Sequence, residues 1–241
     1  MEIVSLIAFA ALATKQQVPE PALWLRPDGH VTIEGRAFSP SISPGTHAYR
    51  TARGIAWDFD GKRAGLLFGD LKPLSITESM TVSVWLNLRS YVNDGPGAQI
   101  LFRGDDRPGV DPYTLAILGD GTVRFAVQNE FDRGRITMGD IPLNRWVHVL
   151  GSWQSDTGEL RLWVNDELVS YQRTSIRPFA DLDQGQAPGV GIGNVQNNHG
   201  PHNQPVNGQI FDLRLYRGSF TPDQLGIFNN QPLNGDPPPR G

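Results

Sequence analysis

Short segments that alternate apolar and polar residues recur along this chain, and they constrain its fold more than any other feature. Residues 80–87 read MTVSVWLN, and residues 113–128 read YTLAILGDGTVRFAVQ, with two alternating runs around Gly119, Asp120 and Gly121. Successive side chains of a β-strand point to opposite faces of a sheet, and two such runs joined by a Gly/Asp turn are typical of a β-hairpin. The pattern therefore predicts antiparallel sheet structure.

Residues 144–169, NRWVHVLGSWQSDTGELRLWVNDELV, predict a further hairpin followed by a tight turn at Asn165–Asp166. Trp146, His148 and Leu150 share one strand face. We assign this face to the core and expect His148 to be buried and hydrogen-bonded.

Trp85 and Trp163 each stand between two apolar residues of their strand. Alternation therefore places both rings on the face opposite those apolar residues, together with polar side chains. Aromatic rings beside hydroxyl, amide and guanidinium groups suit sugar binding, because sugar C–H groups pack on the ring. The same rings would also suit packing beneath the first 50 residues or a terminal helix. Both interpretations stay open from the sequence.

The end of the chain predicts a closing strand and one helix. GQIFDLRLYRG at residues 208–218 places Phe211 with the core-facing leucines and Asp212 on the opposite face. Thr221 and Gln224 have capping-box spacing around Pro222, which favours a helix start. Many strands and one late helix predict an all-β, two-sheet antiparallel jelly-roll β-sandwich with a short C-terminal helix.

The two termini are expected to lie outside this domain, which we place at residues 14–234. Residues 3–13 are apolar and end in Ala11-Leu12-Ala13, which favours a signal peptide over residues 1–13, although an N-terminal strand or helix is the alternative. The run is too short to span a bilayer. Residues 235–241 read GDPPPRG and predict a disordered tail.

Charge and cysteine content exclude several functions. The formal net charge is −4 and no basic run occurs, which argues against nucleic-acid binding. The chain has no cysteine, so disulfides, thiol catalysis and Cys-ligated metals are excluded. Export without cysteines is typical of a secreted, periplasmic or cell-surface protein of bacteria.

Four segments in order resemble the laminin G-like (concanavalin A-like) jelly roll. They are WDFDGKRAGLLFGD, SMTVSVWLN, RWVHVLGSWQSDTGELRLWVNDELV and VNGQIFDLRLYRGSFTPDQL, within residues 55–228. Asp166 stands where the family often has glycine. The resemblance implies two antiparallel sheets of six or seven strands, often a calcium ion, and binding of glycans or extracellular proteins.

One predicted metal site would hold structural calcium through Asp58, the Gly61 carbonyl and Asp212. Calcium prefers hard oxygen ligands, and the first and last strands of such jelly rolls are often adjacent. The alternative is that these aspartates cap turns or pair with Arg214 or Lys62.

The predicted ligand contacts lie on polar loops and on one ring. RGDDRPGVDP supplies carboxylates that could also hold a ligand-linked calcium, and GNVQNNHGPHNQPVNGQ supplies amides, which donate and accept as sugar hydroxyls require. The predicted contacts are Asp105, Asp106, Asn194, Asn197, Asn198, His199 and Trp163.

The leading hypothesis is a non-catalytic module that recognises a glycan or an extracellular protein partner. No serine-hydrolase, zinc-protease or P-loop motif occurs in the chain. Glu130, Asp132 and His199 leave a glycan hydrolase or lyase as an alternative, and a structural surface component is a third.

Overall fold

The computed structural model describes residues 18–92, 95–108, 111–198 and 202–226. The predicted signal peptide, the predicted tail and His199 lie outside these residues. The described residues form two antiparallel sheets, a 3-10 turn at Lys72–Leu74 and a helix α1 at Pro222–Leu225, so the predicted all-β fold is confirmed. The described part contains no helix long and apolar enough to cross a membrane.

The seven-stranded sheet lies on one side of the sandwich. Its spatial order is β12 (Arg133–Met138), β11 (Val123–Gln128), β10 (Tyr113–Ile117), β9 (Ala98–Gly104), β16 (Gly189–Ile192), β7 (Leu66–Gly69) and β4 (Ser41–Ile42). The predicted hairpin at residues 113–128 is confirmed as β10 and β11, with Leu115 opposite Phe125.

The ten-stranded sheet lies on the other side. Its path is β15 (Glu167–Arg173), β14 (Glu159–Val164), β13 (Val147–Gln154), β8 (Met80–Leu88), β17 (Asn207–Arg217), β1 (Leu23–Leu25), β2 (Val31–Ile33) and β3 (Arg36–Phe38). Off this path, β6 (Gly54–Asp60) pairs with β17 and with β5 (Thr46–Thr51). The strands β1, β2, β3 and β5 enlarge this sheet beyond the six or seven strands that the resemblance implies.

The core lies between the inner faces of the two sheets. It includes Val84 and Val149 from the ten-stranded sheet and Leu115 and Phe125 from the seven-stranded sheet, all of them buried. Burying apolar surface is the main favourable term in folding, so the alternation of β8, β10, β11 and β13 determines how the sheets pack.

The prediction that Trp146, His148 and Leu150 face the core is wrong. The inner face of β13 carries Val147, Val149 and Trp153, whereas Trp146 and Leu150 belong to two small clusters on the outer face. Both faces of β13 are apolar and buried, so alternation alone does not say which one meets the other sheet.

A β-bulge in β17 also changes the predicted face of Phe211. The register with β8 shifts between Phe211 and Arg214, and Asp212 has a left-handed backbone with φ 50°. The extra residue moves Phe211 to the outer face, while Leu213 and Leu215 stay in the core. The bulge lies where the neighbour of β17 changes from β6 to β1.

Two predicted local structures are confirmed in detail. Asn165 and Asp166 both have positive φ, as a two-residue hairpin turn requires. Thr221 caps α1 and forms a full capping box with Gln224.

Candidate functional site

The outer face of the ten-stranded sheet is closed by apolar side chains. Trp163 is only 6% exposed and packs with Leu150, Tyr216 and Leu225 of α1, while Trp85 packs with Trp146 and Phe211 in a second cluster. The structure therefore assigns Trp163 a packing role in place of the predicted ligand contact. Of the two interpretations of these rings, packing is the one observed, under the terminal helix for Trp163 and against Trp146 and Phe211 for Trp85.

Ser83, His148 and Asp166 are joined by hydrogen bonds on this covered face. Ser83 Oγ lies 2.9 Å from His148 Nε2, and His148 Nδ1 lies 3.3 Å from Asp166 Oδ1. The order is that of a catalytic triad, yet Ser83 and His148 are 3% and 1% exposed. A nucleophile must reach its substrate, so this relay is structural, and His148 is the buried, hydrogen-bonded histidine that the sequence predicts. It also gives a reason for Asp166 at a turn position that would suit glycine.

The two aspartates of the predicted calcium site are held by arginines. Both Asp58 oxygens accept hydrogen bonds from Arg89, and both Asp212 oxygens accept hydrogen bonds from Arg214. Gly61, with φ 73°, follows Asp60 in a turn. Among the described residues, no group of three or more histidine or acidic side chains could hold a metal. The Asp212–Arg214 pair is the predicted alternative, and calcium binding stays a prediction.

The turn at Gly61 is organised by Asp60. The Asp60 Oδ1 accepts hydrogen bonds from the backbone N–H groups of Lys62, Arg63 and Ala64. Burial raises the pKa of this carboxyl, but the three backbone donors outweigh burial and leave the pKa below its ordinary value.

The outer face of the seven-stranded sheet is polar and carries three arginines. Arg124 lies on β11, and Arg133 and Arg135 lie on β12, in register with Gln128 and Ala126 of β11. Arg133 Nε donates to Gln128 Oε1 at 2.8 Å, and Gln128 Nε2 donates to the Asp111 carbonyl at 2.7 Å. This chain of contacts connects the sheet face with the loop after β9.

A cleft of about 330 Å³ opens beside these arginines. Its lining includes Asp106, Asp111, Arg133, Asn197 and His202. It therefore brings together the two polar loops that the sequence analysis selected, from residues 105–111 and residues 193–209, at one edge of the sheet. Small-molecule sites in proteins are typically about 300–1,000 Å³, so the cleft suits one or two sugar rings.

Asp105 stabilises the loop that lines the cleft. Its carboxylate accepts three hydrogen bonds from the Arg107 side chain and one each from the backbone N–H groups of Arg107 and Asp183. Burial raises the pKa of Asp105, but these bonds outweigh it and lower the pKa. Asp105 thus holds the loop in shape and is 5% exposed.

Asp106 and Asn197 form the polar wall of the cleft. Asn197 Nδ2 donates to Asp106 Oδ2, and Asp106 Oδ1 lies 3.7 Å from His202 Nδ1. These three side chains are partly exposed, and they present both donors and acceptors to the cleft.

Asn194 and Asn198 have a supporting role in place of the predicted ligand contact. Asn194 is fully buried; its amide donates to the carbonyl of Ala64 and accepts from the Gln204 N–H. Asn198 is 4% exposed and donates to Ser43 Oγ. Buried amides need partners, so these two residues fix the loop path and leave its surface to Asn197 and His202.

Asp111 carries the most perturbed carboxyl of the cleft. Burial raises its pKa to about 7, while the positive charges of Arg133 and Arg124 act against this and the Asp105 charge adds to it. A carboxyl that changes charge near neutral pH beside a cleft is typical of a functional site.

The alternative catalytic residues lie at the tip of the β11–β12 hairpin. Glu130 and Asp132 are exposed there, and Asp132 Oδ1 accepts the Arg133 N–H. Phe131 between them is 93% exposed, and the Asn129 side chain accepts its N–H. The tip therefore offers a solvent-facing ring, whereas glycosidases place two carboxyl groups across a cleft.

A larger cleft of about 890 Å³ is lined by Arg103 of β9 and Arg217 of β17, among others. Four of its charged groups are already paired, because Arg103 contacts Asp70 and Arg217 contacts Glu34, and Arg103 also contacts Ser75 and Ala180. These pairs anchor the segment at residues 179–180 to the strand β9. We prefer the smaller cleft because its polar groups are only partly used.

Sequence reasoning missed the arginines, Asp111 and His202 as parts of one site. The signal for the arginines was present, since Arg124, Arg133 and Arg135 alternate with the buried residues Val123, Phe125, Gly134 and Ile136. Their convergence with the loops depends on strand order, which the alternation does not give.

Comparison with known proteins agrees with this architecture. Human pentraxin-related protein PTX3 is 30% identical over 112 residues, which are 45% of this chain and 27% of that protein. This chain thus spans about a quarter of the length of that relative.

Two solved structures show a similar fold. The CBM40 of the Ruminococcus gnavus IT-sialidase, bound to alpha2,3 sialyllactose, has a TM-score of 0.55 and 17% identity, covering 70% of this chain and 94% of that chain. The binding domain of Botulinum Neurotoxin DC, in complex with SialylT, has a TM-score of 0.62 and 15% identity, covering 87% of this chain and 51% of that chain.

The family itself is given by the sequence match. Residues 60–226 match Laminin_G_3, described as the Concanavalin A-like lectin/glucanases superfamily, which agrees with the laminin G-like resemblance of the four segments. The match runs from the end of β6 to the end of α1 and so includes the central strands of both sheets and the cleft. The chain belongs to the Concanavalin A-like lectin/glucanases superfamily.

Proposed function

We propose that this protein is a non-catalytic module that binds a glycan on the outer face of the seven-stranded sheet and in the adjoining cleft. The observation that carries the proposal is the contrast between the two outer faces. One face is packed with aromatic and apolar side chains, among them Trp85 and Trp163, whereas the other carries polar side chains and adjoins the cleft with Asn197 and His202 at its edge.

The cleft has the chemistry that sugar hydroxyls need. Asn197 and His202 combine donor and acceptor atoms, and the partly exposed amide of Gln204 lines the cleft beside them. Sugar hydroxyls both donate and accept, so amides of this kind match them. Phe131 provides an exposed ring for the apolar face of a sugar.

A binding role without catalysis is supported by the hydrogen bonds that already occupy two carboxylates of the cleft. Asp105 is fixed by Arg107 and the backbone, and Asp106 accepts from Asn197. The structural relatives named above are binding domains in complex with sialylated ligands, which supports recognition over hydrolysis. Domains of this kind work mostly outside the cytoplasm, so we extend the proposal to an extracytoplasmic location.

A glycan array with the full chain tests the proposal. We expect binding to at least one class of oligosaccharide, reduced about tenfold by Asn197→Ala, which removes the amide that faces the cleft. Gln172→Ala, which removes an exposed amide of β15 outside the cleft lining, is the matched control and should leave binding unchanged. An array without signal, or binding that Asn197→Ala leaves intact, would refute glycan recognition at this cleft.

A further inference from the structure

Three arginines form a compact group on the outer face of the seven-stranded sheet. We define the arginine patch as Arg124, Arg133 and Arg135. Arg133 and Arg135 point to the same side of β12, and the β11–β12 register places Arg135 opposite Ala126, two residues from Arg124. Arg133 also lines the cleft, and Arg124 donates to the carbonyl of Pro96, another residue of the cleft wall.

These arginines form no ion pair among the described residues, although the charge of the partly buried Asp111 acts on Arg124 and Arg133. Among the described residues, no carboxylate lies within ion-pair distance of a guanidinium of the patch. Arg124 is only 9% exposed, and its Nε has no hydrogen-bond partner in the described structure. By contrast, Arg103, Arg107 and Arg214 are each paired with an aspartate.

Such a group is unfavourable for the fold alone. Burial lowers the pKa of Arg124, and the positive charges of Arg133 and Arg135 lower it further. Three like charges on one sheet face repel one another, and a nearly buried guanidinium without an ion-pair partner loses hydration. Residues that break local rules without a compensating contact are expected at functional sites.

We propose that the arginine patch binds the acidic group of an anionic glycan and so sets the ligand class of this protein. The inference rests on the proposed function and makes it more specific, because it requires a charged sugar and not only a sugar. The planar guanidinium forms two parallel hydrogen bonds with a carboxylate or a sulfate, which suits acidic sugars of either kind.

The surroundings of the patch favour a glycan over other anions. Nucleic acid and anionic membranes are bound by extended basic surfaces, whereas this chain has a net charge of −4 and a patch of three arginines. Beside the patch, the partly exposed Asn197 offers an amide of the kind that a sugar ring needs around its acidic group, and the buried Gln128 holds Arg133 in place. Asp111 at the cleft has a pKa raised to about 7, so it adds little negative charge below neutral pH.

Calorimetric titration with matched glycans tests the inference. Sialyllactose and lactose differ only by the acidic sugar, and a heparin-derived oligosaccharide supplies sulfate in place of carboxylate. We expect sialyllactose or the heparin oligosaccharide to bind at least about tenfold more tightly than lactose, with affinity falling as salt increases. The carboxylated and sulfated ligands show which acidic group the patch prefers.

Variants of the patch connect the preference with these residues. Arg135→Gln removes an exposed charge and should weaken binding of the acidic ligand about tenfold, while leaving any lactose binding unchanged. Arg135→Lys keeps the charge but loses the planar fork, and we expect an intermediate affinity. Arg36→Gln on the exposed edge strand β3 is the control. Arg124→Gln is compared only after its thermal midpoint confirms folding.

The outcomes separate this inference from the proposed function. Equal affinity for sialyllactose and lactose, reduced by Asn197→Ala but not by Arg135→Gln, would keep glycan binding and overturn the acidic preference. Absence of binding to any glycan of a broad array would overturn both. Binding to vesicles that contain phosphatidylserine, without binding to any acidic oligosaccharide, would assign the patch to membranes and overturn the inference.

Discussion

Replacing Asp212 with alanine should destabilise the protein strongly, because this residue joins three parts of the outer face at the β17 bulge. Its carboxylate accepts from Arg214 Nε at 2.8 Å and Arg214 Nη2 at 2.7 Å, and from Trp24 Nε1 at 2.6 Å. The side chains of Arg214 and Asp212 are 16% and 9% exposed. Removing one partner therefore leaves a guanidinium and an indole N–H largely shielded from water.

The magnitude follows from these contacts. Breaking a buried ion pair on one side costs about 3–5 kcal/mol, and the partial exposure of Arg214 puts this pair at about 3 kcal/mol. Alanine at φ 50° adds roughly 1 kcal/mol, since this left-handed region suits aspartate better than alanine. A total of about 4 kcal/mol corresponds to a fall of about 8–16 °C in the unfolding midpoint for a domain of this size.

Chemical and thermal unfolding of Asp212→Ala, Arg214→Met and the double variant would measure this coupling. We expect Asp212→Asn to lose much less than Asp212→Ala, and the double variant to lose less than the sum of the single ones. Because Arg214 already occupies the carboxylate, calcium and EDTA should give the same midpoint. A loss below about 1 kcal/mol, or a calcium-dependent midpoint that Asp212→Ala abolishes, would refute the ion-pair account.

Three further predictions address the covered face and the cleft. Trp163→Ala should lower the free energy of unfolding by about 3–5 kcal/mol without changing glycan affinity, because the ring packs under Leu225; unfolding in denaturant and titration measure the two effects. Phe131→Ala should change stability by less than about 0.5 kcal/mol but weaken glycan binding severalfold, since the ring is 93% exposed; equal affinity for both proteins would remove it from the site. Binding of an acidic glycan should strengthen from about pH 8 to about pH 6, because Asp111, with a pKa raised to about 7, takes up a proton and loses its negative charge in this range. The Asp111→Asn variant should flatten this part of the pH profile of binding.

The sequence predicts the sandwich well because alternation directly encodes which strand residues face inward. It predicts the hairpins of β10–β11 and β13–β14, the Asn165–Asp166 turn and the capped helix α1. It does not reveal the bulge at Asp212, since inserting one residue changes the face of Phe211 without changing the local pattern. It also does not distinguish the two apolar faces of β13.

The site was harder to predict because a polar residue on a loop can either hold the backbone of the loop or face a ligand. Asn194 and Asn197 are three positions apart in the same amide-rich loop, yet the first is buried among backbone partners and the second faces the cleft. Only the folded path of the loop separates them. The arginine patch likewise depends on the pairing of β11 with β12. This pairing brings Arg124 near Arg135, which lies on the other side of the hairpin turn.

Chemical-shift mapping by NMR, with the tightest-binding glycan from the array, would show whether the glycan binds the outer face of the seven-stranded sheet and the adjoining cleft. We expect shifts in the backbone and side-chain signals of β11, β12, residues 105–108 and Asn197, with the signals of Trp163 and Leu225 unchanged. Shifts that centre on the outer face of the ten-stranded sheet, or on the larger cleft around Arg103, would contradict this expectation.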